Sequence, residues 1–283
     1  MEILLLSYSQ ALFYTSTFLM RVFYIFLFVL CQSFASAQYA DLEKTWISDS
    51  LDFVKIDSQF VDLQVFGKYS VEKRYHRMND TLQLFDVYTT SRDHFTREYI
   101  KNYNFLIRRL TGSDFTLVAL DSQALEISGN KKALVLKERY LNRNTGIKFK
   151  MIKFHSTFCL GECPTESIQI NNDRKMVFVG GPYAIKQGCY SATVPDSLYN
   201  QLIEILEISD LDFLKTWEQT VYDAPEYTLE VYYNGKIKYL KNFELPSVTQ
   251  ELIEFLLGIP KKVELRDPQG PCKIEVTAPY QSR

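Results

Sequence analysis

The residues with the clearest capacity for chemistry lie in one short stretch, HSTFCLGECPTES, at positions 155–167. It carries Cys159 and Cys163 with three residues between them, and His155 lies four positions ahead of the first cysteine. Two thiols at this spacing could form a disulfide, bind a metal ion together with the histidine, or exchange electrons with a substrate disulfide. The compartment of the protein and the elements around the stretch decide between these three kinds of chemistry.

A disulfide between Cys159 and Cys163 is the interpretation that the local sequence favours. Gly161 gives the enclosed loop backbone freedom, and Pro164 stiffens the chain where it leaves the loop. So small a ring stabilises a fold by less than the roughly 3 kcal/mol expected for a fifteen-residue loop. Such a bond would therefore shape the turn more than it stabilises the domain.

Two catalytic alternatives stay open for the same residues. His155, Cys159 and Cys163 are four positions apart, a spacing that would place them on one face of a helix as metal ligands. Cys189 would be the fourth ligand. However, the flanking KFKMIKF is typical of a strand, and the spacing is not that of the common zinc sites. A redox pair usually has two intervening residues, and Glu162 would raise the pKa of the neighbouring thiol. Either alternative would make the protein an envelope enzyme, a thiol redox protein or a hydrolase.

The first forty residues have the organisation of a secretory signal. Met20-Arg21 precedes nine apolar residues, Val22–Leu30, and the small-residue site Ala35–Ala37 comes after them. This order predicts cleavage before Gln38, so residues 1–37 form the signal peptide, and Met20 is the expected true start. The apolar run is short for a membrane anchor, so an uncleaved anchor is the less favoured alternative, and we expect membrane contact only through the signal segment. The mature protein is then soluble, in the periplasm or secreted.

Export changes the interpretation of the cysteines. Cys31 lies inside the signal, and the residues before it lack the small side chains of a lipidation site. The four that remain are Cys159, Cys163, Cys189 and Cys272, an even number in an oxidising compartment, which favours disulfides. The sequence allows three pairings. We predict Cys159–Cys163 and Cys189–Cys272, the second of which would fix the C-terminal tail to the sheet.

Residues 38–146 are predicted to form an antiparallel β-meander. Val61, Leu63 and Val65 alternate with polar residues, which is typical of a strand with one buried face. Nothing in this half resembles a long amphipathic helix. The predicted strands, most of them separated by turn clusters, are FVDLQVFG, YSVEKRYH, TLQLFDVY, YNFLIRRLTG, FTLVALD and ALVLKERY. A meander without helices hides its edges most simply by closing into a barrel, so the fold is mainly β.

Residues 147–260 have the pattern of a small α+β domain with two helices packed on an antiparallel sheet. Its predicted strands are KFKMIKFH, SIQIN, KMVFVGG, GCYSATV and both arms of the hairpin YTLEVYYNGKIKYLKNF. One helix is predicted from Pro195 to Ile208. A second is predicted from Ser247 to Gly258, where Ser247 and Gln250 would form a capping box. Residues 261–283 form a proline-bearing C-terminal tail.

The first half resembles the lipocalin-like domains of bacterial envelope proteins over residues 41–145. The resemblance is carried by Trp46 ahead of the first strand, by NDTLQLFD and by the hairpin FLIRRLTGSDFTLVAL. It implies a barrel whose mouth binds a small apolar ligand. In small barrels, aromatic side chains more often fill the core than line a cavity. The candidates to line such a cavity are Trp46, Phe66, Tyr75, Phe85, Tyr88, Tyr103 and Phe105.

The cysteine stretch and the segments after it are similar to the family called domain of unknown function 6438, which occurs in exported bacterial proteins. Residues 159–164 match its Cys-x-Gly-x-Cys-Pro signature. The likeness covers residues 149–258 and continues through SIQI, MVFVGG, the Gly188 region, LYNQLIEIL, the Asp223–Pro225 turn and the last helix. Phe158 and Glu166 depart from the family's pattern. The family has no established activity, so the resemblance implies a fold and a motif.

Charge and missing motifs limit the function further. A formal net charge of −2 creates no field that would attract nucleic acid or an anionic membrane. The three histidines join no nucleophile motif, and no glycine loop for phosphates is present, so we predict neither catalytic residues nor a cofactor. We therefore expect an exported, non-enzymatic binding or interaction protein. Its expected partner is a small apolar ligand or another envelope protein.

Overall fold

The structure is a computed structural model that describes residues 42–217, 223–268, 272, 274 and 275. The predicted signal peptide, residues 1–37, lies outside the described residues, and so does part of the predicted tail. Within the described ranges, no helix is both long enough and apolar enough to cross a membrane.

The first part of the chain is a closed antiparallel barrel of eight strands in sequence order. Its strands are β1 (Thr45–Ile47), β2 (Phe53–Ile56), β3 (Phe60–Gln64), β4 (Val71–Met78), β5 (Thr81–Thr89), β6 (Glu98–Leu110), β7 (Asp114–Ala119) and β8 (Ala133–Glu138). The first strand closes the barrel by pairing with the last, with Trp46 opposite Glu138. Closure pairs both edges of the meander, as expected for consecutive strands without long helices. The predicted barrel is confirmed.

Alternating side chains of the strands fill the barrel. In β5, Leu82 and Leu84 are buried while Gln83 between them is more exposed, which is the two-residue period of a strand. The interior core includes Leu42, Trp46, Val54, Val61, Leu63, Tyr103, Phe105, Phe115, Leu117, Leu134 and Leu136. A short helix, α1 (Ser122–Ile127), packs beside β6 and β7. Asp121 caps α1 by accepting a hydrogen bond from the amide of Ala124 at 2.7 Å.

The second part of the chain is a six-stranded antiparallel sheet with two helices on one face. Its strands are β9 (Phe149–Ser156), β10 (Glu166–Asn171), β11 (Lys175–Gly180), β12 (Gly188–Thr193), β13 (Tyr227–Tyr233) and β14 (Lys236–Asn242), in the order β12-β11-β10-β9-β13-β14. The helices are α2 (Asp196–Glu207) and α3 (Gln250–Gly258). Their apolar stripes bury Leu202, Leu206, Leu252 and Leu256 against the sheet. This is the predicted α+β arrangement.

The start of α3 differs from the sequence prediction. A 3-10 turn over Ser247–Thr249 precedes the helix, and no side chain of this described segment caps either the turn or the helix. Instead, the amide of Ser247 donates to Oε1 of Gln64 at 2.6 Å. Gln250 bonds to Glu254 rather than to Ser247. The predicted capping box is therefore wrong, because a side chain from the barrel supplies the acceptor.

The barrel and the second sheet share an apolar core at their junction. Trp46 points into the barrel, whereas its neighbour Ile47 and the cross-strand residue Phe53 point outward and join the core of the second sheet. Phe66 packs there as well, and its ring lies 5.6 Å from that of Trp217, measured between centroids. The outer side of β1 and β2 is thus an interior surface. The boundary predicted at residue 146 falls in the connection between β8 and β9.

Arg139, in the 3-10 turn after β8, joins the two parts through hydrogen bonds. The side chain is almost completely buried, and its guanidinium donates to the carbonyl oxygens of Ile208 at 3.0 Å and Val248 at 2.6 Å. A third bond of 3.1 Å runs to Oε1 of Glu251, and the guanidinium lies 5.9 Å from the centre of the Phe53 ring. A charge is tolerated in an interior only when its donors are satisfied in this way. Arg139 therefore holds the end of the barrel against the helical side of the second sheet.

Candidate functional site: the disulfide-closed loop

The loop between β9 and β10 carries the cysteine motif, and its two sulfur atoms are bonded to each other. Cys159 and Cys163 form a disulfide with 5.6 Å between their Cα atoms. This is the pairing that the sequence predicts. A thiolate is the species that attacks a disulfide or binds a metal ion. Because both sulfur atoms of this pair are bonded to each other, neither is a thiolate.

Hydrogen bonds fix both ends of the loop to the end of the sheet. The hydroxyl of Ser156 donates to the carbonyl oxygen of Pro164 at 2.7 Å and accepts the amide of Glu166 at 3.2 Å. In the middle of the loop, the amide of Leu160 donates to Oδ1 of Asp223 at 2.5 Å. The disulfide and these bonds together hold the loop in one shape.

The side chains that flank the first cysteine are apolar and point to solvent. Phe158 is 73% exposed and Leu160 is 88% exposed. The loop between β11 and β12 adds Tyr183 and Ile185, which are exposed too. Thr165 joins the two loops through backbone hydrogen bonds of 2.8 and 2.9 Å to residues 181 and 182. We call the surface formed by Phe158, Leu160, Tyr183 and Ile185 the loop tip.

His155 does not join the cysteines. It lies opposite Ser167 in the β9–β10 pair, and its Nδ1 is 2.8 Å from the Ser167 hydroxyl oxygen. Burial lowers the pKa of His155, which favours the neutral ring. Among the described residues, no three His, Cys, Asp or Glu side chains are grouped so that they could hold a metal ion. The geometry gives no support to a metal site at His155, Cys159 and Cys163.

The second disulfide holds the C-terminal tail against the sheet. Cys189, on β12, is bonded to Cys272 with 5.8 Å between their Cα atoms. Arg266 exchanges two backbone hydrogen bonds of 2.9 Å with β12, and Nζ of Lys153, on β9, donates to the carbonyl oxygen of Glu275 at 2.5 Å. The described tail residues therefore contact the sheet at β12 and at β9.

Glu166, at the start of β10, is a buried carboxyl group beside the loop. It is 4% exposed, and its Oε1 has no hydrogen-bond partner among the described residues. Desolvation raises the pKa of this carboxyl group to about 7, and the charge of Lys261 opposes the shift only in part. The folded protein therefore favours the neutral acid below this pH.

Replacing Glu166 by glutamine is expected to stabilise the protein at pH 8 and to have a smaller effect at pH 4.5. The pKa of the carboxyl group rises from 4.5 to about 7 on folding. The folded state therefore binds the proton more tightly, and the parent protein loses up to about 3 kcal/mol of stability as the pH rises between these values. Urea unfolding at both pH values measures the effect. Glu264→Gln, at an exposed carboxylate, is the control, and an unchanged pH dependence in Glu166→Gln would contradict the assigned cause.

The seven aromatic residues predicted to line a barrel cavity lie in different places. Trp46, Tyr103 and Phe105 are buried inside the barrel, Tyr75 packs at the edge of that core, Phe66 belongs to the junction, and Phe85 and Tyr88 form ring pairs with His76 and Tyr99. The hydroxyl of Tyr103 donates to Asp86 at 2.8 Å, and Lys73 lies 2.8 Å from the same carboxylate. The structure thus brings together part of the set, and a ligand at the barrel mouth stays a prediction.

Sequence reasoning missed the residues that give the loop tip its character. The motif drew attention to its cysteines, its glycine and its proline, whereas Phe158 and Leu160 are the side chains that the loop presents. For Leu160 the available signal was the size of the ring, because three residues between bonded cysteines leave no interior in which its side chain could be buried. Phe158 lies outside the ring, so this signal does not apply to it.

These features define a mainly β protein of two parts, a closed eight-stranded barrel followed by a disulfide-bearing α+β module. Residues 150–261 match the family model described as Domain of unknown function (DUF6438), which confirms the resemblance carried by the cysteine stretch. The closed barrel fits the lipocalin-like resemblance of the residues before it. No curated protein and no solved structure is significantly similar to the chain.

Proposed function

We propose that this is an exported, non-enzymatic protein that binds another protein of the cell envelope through the loop tip. The observation that carries the proposal is the Cys159–Cys163 disulfide with Phe158 and Leu160 exposed beside it. Exposed apolar side chains gain free energy when another surface covers them, and grouped ones commonly mark an interaction site.

The loop is suited to binding because its shape is set before a partner arrives. The disulfide closes the loop, and the bond from Leu160 to Asp223 holds its middle. A segment that is already rigid loses little conformational entropy on association, so more of the contact energy appears as affinity. Tyr183 adds an aromatic ring to this surface, and aromatic residues are enriched among those that dominate binding energy.

Export is supported by the two disulfides and by the predicted signal peptide. Disulfides such as Cys159–Cys163 and Cys189–Cys272 persist in oxidising compartments and are rare where glutathione keeps thiols reduced. A signal peptide over residues 1–37 would deliver the chain to such a compartment. A partner in the same compartment is then a protein of the envelope or of the cell surroundings.

Binding rather than catalysis is supported by the way in which the reactive groups are used. Both loop sulfur atoms are bonded, and the serine beside His155 lies inside the sheet. Ser167 lies between two paired strands, opposite His155 on β9 and Val179 on β11. The backbone amides around it are therefore used in hydrogen bonds between the strands. A serine nucleophile needs free donors aimed at the developing oxyanion. The His155–Ser167 pair is therefore better suited to joining two strands.

Photo-crosslinking in the cells that produce the protein tests this proposal. We expect a photoreactive amino acid at position 160 to form a discrete adduct with an exported protein, because Leu160 lies at the most exposed point of the loop tip. Phe158→Asp, which leaves both cysteines in place, is expected to abolish that adduct by removing the apolar neighbour.

The same photoreactive residue at position 135 is the matched control, because Val135 is an apolar side chain that is 66% exposed on barrel strand β8. An adduct of equal yield from position 135 would contradict the proposal. So would the absence of any adduct from position 160, or an adduct that persists in Phe158→Asp.

A further inference from the structure

A cleft of about 510 Å³ lies where the barrel meets α3. Asp62, Ser70 and Glu72 of the barrel form one wall, and the other is formed by Tyr227 with residues from the segment between 243 and 257. This volume lies within the range of pockets that bind small organic molecules. The cleft is separate from the loop tip and shares no residue with it.

The floor of the cleft is apolar. It is formed by Tyr227, Phe243, Leu245, Ile253 and Leu257. The ring of Tyr227 is stacked on that of the fully buried Phe154, with 5.9 Å between centroids, so the floor rests on the core of the sheet. An apolar group that settled on this floor would leave water and gain free energy in proportion to the area it buries.

The rim of the cleft is acidic. Of the four carboxyl groups that line the cleft, those of Glu72 and Glu254 are exposed, whereas those of Asp62 and Glu244 are half-buried and accept hydrogen bonds from Ser70 and Gln64. Among the described residues that line the cleft, none is a lysine, arginine or histidine. Lys55 lies opposite Asp62 in the β2–β3 pair and offsets part of that one charge, but it does not line the cleft. The rim therefore favours a positively charged ligand.

The walls are held in place by hydrogen bonds that cross between the two parts. Gln64, which is 1% exposed, donates to Oε1 of Glu244 at 3.0 Å and accepts the amide of Ser247 at 2.6 Å. The amide of Ser70 donates to the same oxygen of Glu244 at 2.9 Å. The cleft is therefore formed before a ligand enters, as is usual for small-molecule sites.

We infer that the cleft binds a small organic cation with an apolar body, such as an alkylamine or an arylalkylamine. The apolar body would lie on the floor between Tyr227 and Leu257, and the ammonium group would lie among the carboxylates of the rim. A bare divalent ion does not fit, because the described carboxylates are not grouped as metal ligands. This inference goes beyond the proposed function and does not depend on it.

Three compounds that share one apolar body test the inference, with the full mature protein titrated by calorimetry at low salt. They are phenylbutylamine, phenylbutanol and phenylbutyrate, which carry a cationic, a neutral and an anionic head group. We expect the amine to bind at least about tenfold more tightly than the carboxylate, with the alcohol between them. The affinity for the amine is expected to fall as the salt concentration rises.

Two exposed carboxylates of the rim provide the matching variants. Glu72→Gln combined with Glu254→Gln is expected to weaken amine binding by about fivefold and to leave alcohol binding unchanged. Glu204→Gln is the control, because Glu204 and Glu254 both line a second cleft, between α2 and α3, and an amine bound in that cleft would also respond to Glu204→Gln. The inference is overturned if the amine does not bind, if the three compounds bind equally, or if the double variant binds the amine as the parent does.

Discussion

Replacing Arg139 by alanine is expected to lower the free energy of unfolding by about 3–5 kcal/mol. The buried guanidinium donates to the carbonyl oxygens of Ile208 and Val248 and to the carboxylate of Glu251. Without it, two buried carbonyl groups lose a charged donor, and a cavity opens beside Phe53. The interactions that are lost lie at the junction, where the barrel and the second sheet meet.

Urea unfolding followed by tryptophan fluorescence measures this loss. Arg143→Ala is the matched control, because the side chain of Arg143 is 39% exposed and its guanidinium pairs with Glu207 at 2.7 Å. A partly exposed ion pair contributes less than about 1 kcal/mol. If both variants change the stability by the same small amount, the junction does not depend on Arg139.

Replacing Cys189 and Cys272 together by serine is expected to destabilise the protein more than replacing Cys159 and Cys163 together. The first bond joins residues 83 positions apart, and the second joins residues only 4 apart. The entropy of the unfolded chain depends on loop length, so the long loop is worth about 4–5 kcal/mol and the short one about 2 kcal/mol. The long-loop variant also releases the tail from the face of the sheet.

Thermal and urea unfolding of the two double variants, both compared with the oxidised parent, measure this difference. The Cys159→Ser, Cys163→Ser variant is the internal control, since it removes the same kind of bond from the same domain. A larger loss of stability in this short-loop variant would contradict the structural role assigned to the tail.

Much of the fold could be predicted because the evidence for it is local. The alternation in β3 and β5 is visible in a few residues, and the Asn234-Gly235 turn marks the β13–β14 hairpin. The strands β1 and β2 were missed. They have three and four residues, and the pairing of β1 with β8 depends on barrel closure, which no local pattern encodes. Helix α1, with six residues, is too short to show a helical period.

The site was predictable in its covalent chemistry but not in its surroundings. The number of cysteines and the expected compartment limit the disulfide pairings, whereas His155 meets Ser167 only through the register of β9 and β10. Glu166 is buried because it shares the helix-covered face of β10 with Ile168 and Ile170, and a sequence does not state which face a helix will cover. Gln64 likewise meets a residue 183 positions away.

Mass analysis, without reduction, of the protein purified from the cells that produce it tests the central claim most directly. The claim is that the chain works outside the cytosol with its sulfur atoms locked in crosslinks. We predict a mature chain that begins at Gln38, is four hydrogen atoms lighter than its reduced form, and yields peptides joined through Cys159–Cys163 and Cys189–Cys272. Free thiols at these positions, or a metal ion held by the loop sulfur atoms, would contradict it.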